Sequence, residues 1–408
     1  MKILVLNAGS SSQKSCLYNL TGGVLPENPP PPLWEAEIDW THQQGKAELK
    51  VKTAAGTFKT SFPSQSRRND TLEMLQTLWN GDTQVIENPQ EIDIVGHRVV
   101  HGGEEYRQST LVTPELKAAI ARLSSFAPVH NPANLEGIEA IENILGDIPQ
   151  IALFDTAFHS RLPPAAYVYP LPYELLKQGI RRYGFHGISH EYCAHRAAQI
   201  LGGSLEQLRL IICHLGNGCS LAAIRNGYSI DTTMGFTPME GLMMGSRSGS
   251  VDPGIILHLL RHCNYTVDEL DQLLNRGSGL LGVSGVSNDL RQIITAIDQG
   301  NQHAQLALDI YIHRLRAYIA SMLPSLEGLD AIIFTAGVGE NSALIRAAAC
   351  EGFGFLGWKI DEQKNESAPV DVDIATDSST VRILVIHTQE DWAIAQACWQ
   401  FFIEPQKT

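Results

Sequence analysis

Basic residues are in short supply in this 408-residue chain: 30 Lys and Arg stand against 44 Asp and Glu, a net charge of −14. That balance argues against a nucleic-acid partner, whose phosphates call for a basic face. Any anionic ligand must instead be held by a local group of Arg and Lys in an acidic background. Cysteine is also sparse. The seven, at positions 16, 193, 213, 219, 263, 350 and 398, form no CxxC pair and leave an odd one over. No disulfide framework is encoded, and reduced thiols in a cytoplasmic protein are expected. Long apolar runs are missing: none approaches the roughly 20 residues of a spanning helix, so no membrane partner is expected. Met1-Lys2 leads straight into a strand pattern, which on this reading leaves no room for a signal peptide. A hydrophobic fraction of 44% is ordinary for a globular protein. The length exceeds one typical core, so two domains are expected.

The most informative stretch that is present is Met1–Leu20. An apolar strand, Ile3 to Leu6, breaks at Asn7-Ala8-Gly9, and three hydroxyls (Ser10, Ser11, Ser12) and Lys14 follow before a second strand. A small-residue turn rich in backbone and hydroxyl donors suits a phosphate. It is no P-loop, because Gln13 and not Gly precedes Lys14 and no helical pattern follows. An ordinary Gly/Ser-rich hairpin turn is the other reading of this segment.

Further along, Pro26–Pro32 reads as a stiff surface spacer. Lys46–Phe58 alternates like a hairpin, and Arg68–Trp79 has helical spacing. Ile92–Val100 is a strand, and helices start after Thr113 and after Asn131-Pro132. The pattern restarts at Ile151–Phe154. Leu210–His214 and Ser220–Ile224 form a second hairpin around Gly216-Asn217-Gly218. Ala331–Thr335 runs into Gly337-Val338-Gly339, with a helix from about Ser342, and Arg382–Ile386 precedes a terminal helix over Asp391–Phe402. Two halves that each open on a hairpin suggest a duplicated α/β core with a cleft between them.

Three glycine-rich turns at strand ends, Asn7–Ser12, Gly216–Ser220 and Gly337–Asn341, point together to a nucleotide whose phosphates meet backbone N–H groups. The third lacks the last Gly of a dinucleotide fingerprint, which argues against NAD. Arg98, at the end of a strand, and Arg247, between glycines, are placed to clamp carboxylate or phosphate, with a surface ion pair as the alternative. Asp155, at the end of Ile151–Phe154, is open to metal ligation, base chemistry or capping. His190-Glu191 with His195 is HExxxH and not HExxH, so the two histidines do not share a helix face and a zinc site is not expected. His190 and His195 then read as helix-surface or satisfied core residues. His186, in a glycine turn, is the better phosphate contact.

On these residues the chain resembles the acetate kinase family throughout its length. The motifs are Asn7-Ala8-Gly9-Ser10-Ser11-Ser12-x-Lys14, Gly184-Phe185-His186-Gly187-x-Ser189-His190, His214-Leu215-Gly216-Asn217-Gly218, Gly245-x-Arg247-Ser248-Gly249 and Gly337-x-Gly339-Glu340-Asn341. The resemblance implies a duplicated actin-like ATPase fold of the ribonuclease H-like type, with an interdomain active-site cleft. Residues 1–152 plus 388–408 would form one domain and residues 153–387 the other. It implies a homodimer that phosphorylates acetate to acetyl phosphate, reversibly, by direct in-line transfer from ATP, leaving ADP, with Mg²⁺ or alternatively Mn²⁺.

Carried over by position, Asn7 and Glu390 would be associated with the metal. Ser10, Ser12 and Lys14 would contact phosphates. Arg98 and Arg247 would hold acetate and the moving phosphoryl, His186 would donate to it, and Asp155 would be the catalytic carboxylate. His214, Leu215, Gly216, Asn217 and Gly218, Asp289, Leu290 and Arg291, and Gly337, Val338, Gly339, Glu340 and Asn341 would line the nucleotide site. Val100, Val129, Phe185 and Pro238 would enclose the methyl group.

The sequence departs from the family pattern at four places: His387-Thr388-Gln389-Glu390-Asp391 replaces Pro-Thr-Asn-Glu-Glu, Val129 stands for Leu, Ser250 for Asp or Asn, and Pro26–Pro32 is inserted. Acetate is already ionised at neutral pH, so Asp155 suits an orienting or metal-linked role better than that of a proton acceptor. Transfer asks mainly for positioning and charge neutralisation. Competing readings are a propionate or butyrate kinase and a non-catalytic ATP switch of the actin or chaperone kind. Val100 favours acetate, and a switch would not need Arg98 and Arg247.

Overall fold

The computed structural model describes residues 1–9, 12–21, 23–40, 45–128, 130–367 and 370–403. Ser10 and Val129, both named above as site residues, lie outside them. The chain divides into two compact units, Met1–Ala157 with Gln389–Thr408, and Phe158–Thr388.

In the first unit β1 (Lys2–Ala8), β2 (Ser12–Asn19), β3 (Trp34–Asp39), β4 (Lys46–Thr53) and β5 (Gly56–Pro63) form an antiparallel meander. After α1 (Arg67–Gln76) come β6 (Ile94–Val99), β7 (Thr110–Leu111), α2 (Pro114–Leu123), α3 (Asn131–Leu145) and β8 (Gln150–Phe154). The sheet order is β5-β4-β3-β2-β1-β6-β8-β7, with β1, β6 and β8 parallel. Burial follows topology. β4 alternates exposed and buried residues, whereas Ile94, Val95 and Gly96 of β6 are buried in succession, as strands covered on both faces must be. Thr113 caps α2 through Leu116 N–H, with Pro114 at the first helical position.

The segment from Ile151 does not open a second half. β8 pairs in parallel with β6, and Ala152 and Phe154 pack with Val99, Leu116, Ile120 and Ile138 of the first unit. The second unit begins after Ala157, so Phe154 and Asp155 stay with the first.

The second unit holds α4 (Pro164–Tyr167), α5 (Gly187–Leu201), β9 (Leu210–Leu215), β10 (Cys219–Arg225) and β11 (Tyr228–Thr232). The helices α6 (Pro253–His262), α7 (Val267–Arg276), α8 (Gly279–Ser284), α9 (Leu290–Asp298) and α10 (Gln302–Leu326) follow. β12 (Ala331–Thr335), α11 (Ala336–Asn341), α12 (Ala343–Glu351), α13 (Glu362–Glu366), β13 (Val372–Asp373) and β14 (Arg382–Val385) complete it. Its sheet runs β11-β10-β9-β12-β14-β13. An antiparallel β9–β10–β11 meander is followed by β12 and β14, parallel to β9. The inner order of the first sheet, β3-β2-β1-β6-β8, is repeated, which is the duplicated α/β architecture expected of this sequence.

One expected turn is a helix. Gly337–Asn341 lies inside α11. The chain swings out of β12 through Ala336, whose φ of 64° is left-handed, and Glu340 takes up the Ala336 N–H at 2.8 Å. A second helix, α12, then starts at Ala343 behind Ser342 as N-cap, close to the expected start at about Ser342.

The last helix, α14 (Glu390–Ile403), returns to the first unit and packs on β6. Its approach is close. A Cβ on Gly96 would lie 2.4 Å from Ile394 Cγ2 and 2.7 Å from Cys398 Sγ, so no larger residue fits there without moving the helix. Among the described residues no helix is long and apolar enough to cross a membrane.

Candidate active site

The polar side chains expected at the site fall into two groups, one in each unit. In the first unit they gather at the carboxyl ends of parallel strands, where open α/β sheets place their ligands. Arg98, near the end of β6, donates from Nε to Asp155 Oδ1 at 3.0 Å and from Nη2 to Oδ2 at 2.6 Å. The pairing follows from register: Arg98 lies opposite Leu153 on β8, and Asp155 is the first residue past that strand. Asp155 is 2% exposed. Burial opposes the Arg98 charge, but Asp155, with Glu390 and Asp391 behind it, holds the guanidinium above its usual pKa. A fork–fork pair of this kind fixes the plane of the arginine.

Asn7, near the end of β1, donates to Glu390 Oε2 at 3.2 Å and to Asp391 Oδ1 at 2.9 Å. Burial and the neighbouring Glu390 raise the Asp391 pKa, while the Asn7 amide pulls it down. Lys14 lies across from Asn7 on β2 and is exposed, and its charge also favours ionised Asp391. The hydroxyl-turn end of this hairpin is closed by Gly9 N–H donating to Ser12 O at 2.8 Å.

Sequence reasoning missed three contributors here. Asp391 touches Asn7 more closely than Glu390 does. Arg67, just ahead of the segment read as helical, donates to Gly9 O at 3.1 Å and lies over the Trp40 ring. Asn134 on α3 accepts from Val100 N–H at 3.1 Å and donates to Ala8 O at 3.3 Å, so one buried amide ties the ends of β1 and β6 together. Asn131 and Asn134, three apart at a helix start, were the available signal, since that spacing puts both on one face.

In the second unit the group is built from imidazoles and hydroxyls. His186 precedes α5 in a left-handed conformation, φ 58°. Its ring stacks on His214 of β9 at 4.1 Å. His186 Nδ1 lies 2.9 Å from Ser220 Oγ, and His190 Nε2 lies 2.8 Å from the same oxygen. His214 Nδ1 meets Ser189 Oγ, which also meets Thr388 Oγ1, each at 2.8 Å. Arg247 donates to Pro238 O at 3.0 Å. A Cβ on Gly218 would come within 3.4 Å of His186 and 3.6 Å of Arg247, so glycine there keeps the space beside both side chains open.

The Gly216–Gly218 turn is joined to its surroundings. Asn217 O accepts from Gly245 N–H at 3.0 Å, and Asn217 Oδ1 accepts from Asn288 at 3.4 Å. Asp289 caps α9 through Arg291 N–H and pairs with the exposed Arg291 side chain. Glu340 accepts from Ala336 N–H, Thr388 N–H and His387 Nδ1. Its carboxylate therefore holds the His387–Thr388 segment to the start of α11. Burial tends to raise the Glu340 pKa, but these donors hold it below the ordinary value.

Leu215 and Leu290 are buried core residues, which leaves only their backbone to meet a ligand. Gly337 and Asn341 are exposed on α11. Of the expected methyl-pocket residues, Val100 is buried in the first unit and Phe185 in the second, where Pro238 is half-buried. His190 is fully buried, and its Nδ1 has no partner. It is a core residue only half satisfied.

The acetokinase family model matches residues 2–396. The chain belongs to the acetokinase family. It is 69% identical to an acetate kinase of Gloeobacter violaceus over 98% of this chain and 99% of that relative. Identity to an acetate kinase of Nostoc is 64%, with the same shares covered. Among solved structures it is similar to Porphyromonas gingivalis acetate kinase, at TM-score 0.89 and 39% identity over 98% and 99% of the two chains. A propionate kinase from Francisella tularensis matches at TM-score 0.88 and 38% identity, covering 97% and 98%.

Proposed function

We infer that this acetokinase-family phosphotransferase moves a phosphoryl group between ATP and acetate. The observation that carries the reading is the match, nearly end to end, to acetate kinases at up to 69% identity. The geometry supports it. Acetate arrives ionised, so the protein's task is to position reactants and offset charge. Arg98, oriented by Asp155, is proposed to hold the acceptor carboxylate. Asp155 is thereby an orienting group and not a base. Arg247 and His186 are proposed to meet the phosphoryl oxygens, where preorganised donors act most strongly. The 214–218, 289–291 and 337–341 segments are proposed to meet the nucleotide.

The donor set of Asn7, Glu390 and Asp391 consists of hard oxygens, which suits Mg²⁺. Among the described residues no group of three or more His, Cys, Asp and Glu forms a complete cage, and Mg²⁺ commonly takes one or two carboxylates and leaves the rest to phosphate oxygens and water. When bound, the ion would offset charge on the nucleotide phosphates. We also propose a homodimer. No residue of α6 is buried, although Ile255, Leu257 and Leu260 lie on it, and an apolar helix left bare marks a contact surface.

Trapping acetyl phosphate with hydroxylamine in the presence of ATP, acetate and Mg²⁺ tests the reading. Product formation that saturates with acetate is expected. Its absence, or a higher kcat/KM for propionate, would overturn the assignment to acetate.

A further inference from the structure

The chemistry proposed for His186 needs a proton on the ring nitrogen that meets the substrate, and the fold contains a device that puts it there. His186 and His190 stand four residues apart at the start of α5, where His190 N–H closes the first turn on His186 O at 2.9 Å. His186 is the N-cap and His190 lies one turn into the helix, and both rings reach one atom, Ser220 Oγ on β10. Ser220 is itself fully buried and lies opposite His214 in the β9–β10 register.

A serine hydroxyl has one proton, so it can donate to only one of its two imidazole neighbours and must accept from the other. Which way the chain runs is decided at its inner end. His190 Nδ1 is buried with no partner. A proton there would be an orphaned buried N–H, which is rarer in proteins than an under-used acceptor. The proton therefore sits on Nε2 and is donated to Ser220 Oγ. Burial, with His159 and His214 nearby, keeps His190 neutral by pulling its pKa well below the ordinary value, so it has only that one proton to give. Ser220 Oγ–H is then left to donate outward to His186 Nδ1.

We propose that the His190–Ser220 pair is a tautomer-setting relay that holds His186 with a bare Nδ1 and a protonated Nε2. His186 Nε2–H is thereby the proton offered toward the phosphoryl group. Ser220 and His190 act only through His186 and are positioning residues. The proposal rests on the kinase reading for its purpose, but the tautomer itself does not depend on activity.

The test is long-range proton–nitrogen NMR of the histidine rings in the full-length, ligand-free protein, with His186 signals identified by their loss in His186→Asn. A pyrrole-type Nε2 and a pyridine-type Nδ1 are expected at both His186 and His190. In Ser220→Ala the ratio of Nε2–H to Nδ1–H at His186 should fall by about 10-fold, the scale of one buried hydrogen bond. kcat should fall by up to about the same factor with the acetate KM little changed, and Ser220→Thr should restore the tautomer. A Nδ1–H signal at either histidine in the parent would overturn the relay, as would an unchanged ratio in folded Ser220→Ala. The parent spectrum decides even where a variant fails to fold. A parent protein that makes no acetyl phosphate but shows these tautomers would remove the kinase reading and leave the relay standing.

Discussion

The two polar groups of this molecule solve the problem of burying hydrophilic atoms in opposite ways. In the first unit Arg98 and Asp155 are ionised and satisfy each other through two hydrogen bonds, with Glu390 and Asp391 shared by the Asn7 amide. In the second unit His159 and His190 are held neutral by burial, and hydroxyls of Ser189, Ser220 and Ser229 take up ring nitrogens. A charged pair fails abruptly when one partner is lost, because the other is stranded. A chain of neutral donors and acceptors fails gradually, one hydrogen bond at a time.

Removing one arginine from each unit should separate the two arrangements most sharply. Arg98→Leu and Arg247→Leu should each lower kcat by at least about 10²-fold, the scale of a lost preorganised donor. They should part company in stability. Arg98→Leu takes both guanidinium hydrogen bonds from the buried Asp155 carboxylate, a cost of about 3–5 kcal/mol in urea unfolding, whereas Arg247→Leu should unfold near the parent midpoint. Equal stabilities would mean that the first group is not held together by its charges.

The neutral group should instead be sensitive to acid. Burial takes His159 from the ordinary 6.5 down to about 4. Between those values the unfolded chain binds the extra proton, so the contribution is whole above pH 6.5 and lost as pH falls toward 4, reaching about 3 kcal/mol. Denaturant midpoints at pH 7 and 4.5 should show His159→Gln losing less on acidification than the parent does. An identical pH slope would remove His159 from the account.

Within the first group, Glu390→Gln should raise the Mg²⁺ concentration for half-maximal rate by about 10-fold and leave thermal stability nearly unchanged. The contrary pattern, a lowered melting temperature with unchanged Mg²⁺ dependence, would mark Glu390 as a helix-terminal charge worth about 0.3–1 kcal/mol. The same measurement on Asp391→Asn tells which of the two carboxylates bonded to Asn7 matters to the ion. The smallest effect concerns the acceptor. Val100→Ala should improve propionate relative to acetate in kcat/KM by no more than a methylene is worth, about 1–3 kcal/mol. No change would take Val100 out of the acceptor pocket.

The hairpins at Met1–Leu20 and at Leu210–Ile224, the strand after Ile92, the cap at Thr113, the helix from about Ser342 and the carboxylate opening the last helix were all legible in the sequence. So was the list of motifs that carries family membership. Each is local. A strand buried on both faces reads as an apolar run, a cap as a hydroxyl before a helical period, and a motif as residue types at fixed spacing. What pairs with what was not legible. The partnership of Arg98 with Asp155 depends on β6 lying beside β8 in one register. That of Asn7 with Asp391 depends on Gly96 letting α14 approach β6, and the meeting of His186 with His190 at one oxygen depends on β10 passing under α5. The assignment of Ile151–Phe154 to the first sheet, and the helical course of Gly337–Asn341 behind a left-handed Ala336, belong to the same class. Spacing along a chain determines which residue types are available to a site. Which hydrogen-bond partner each obtains is a property of neighbouring strands and helices, and is set only when their packing excludes water and leaves each buried donor a single acceptor within reach.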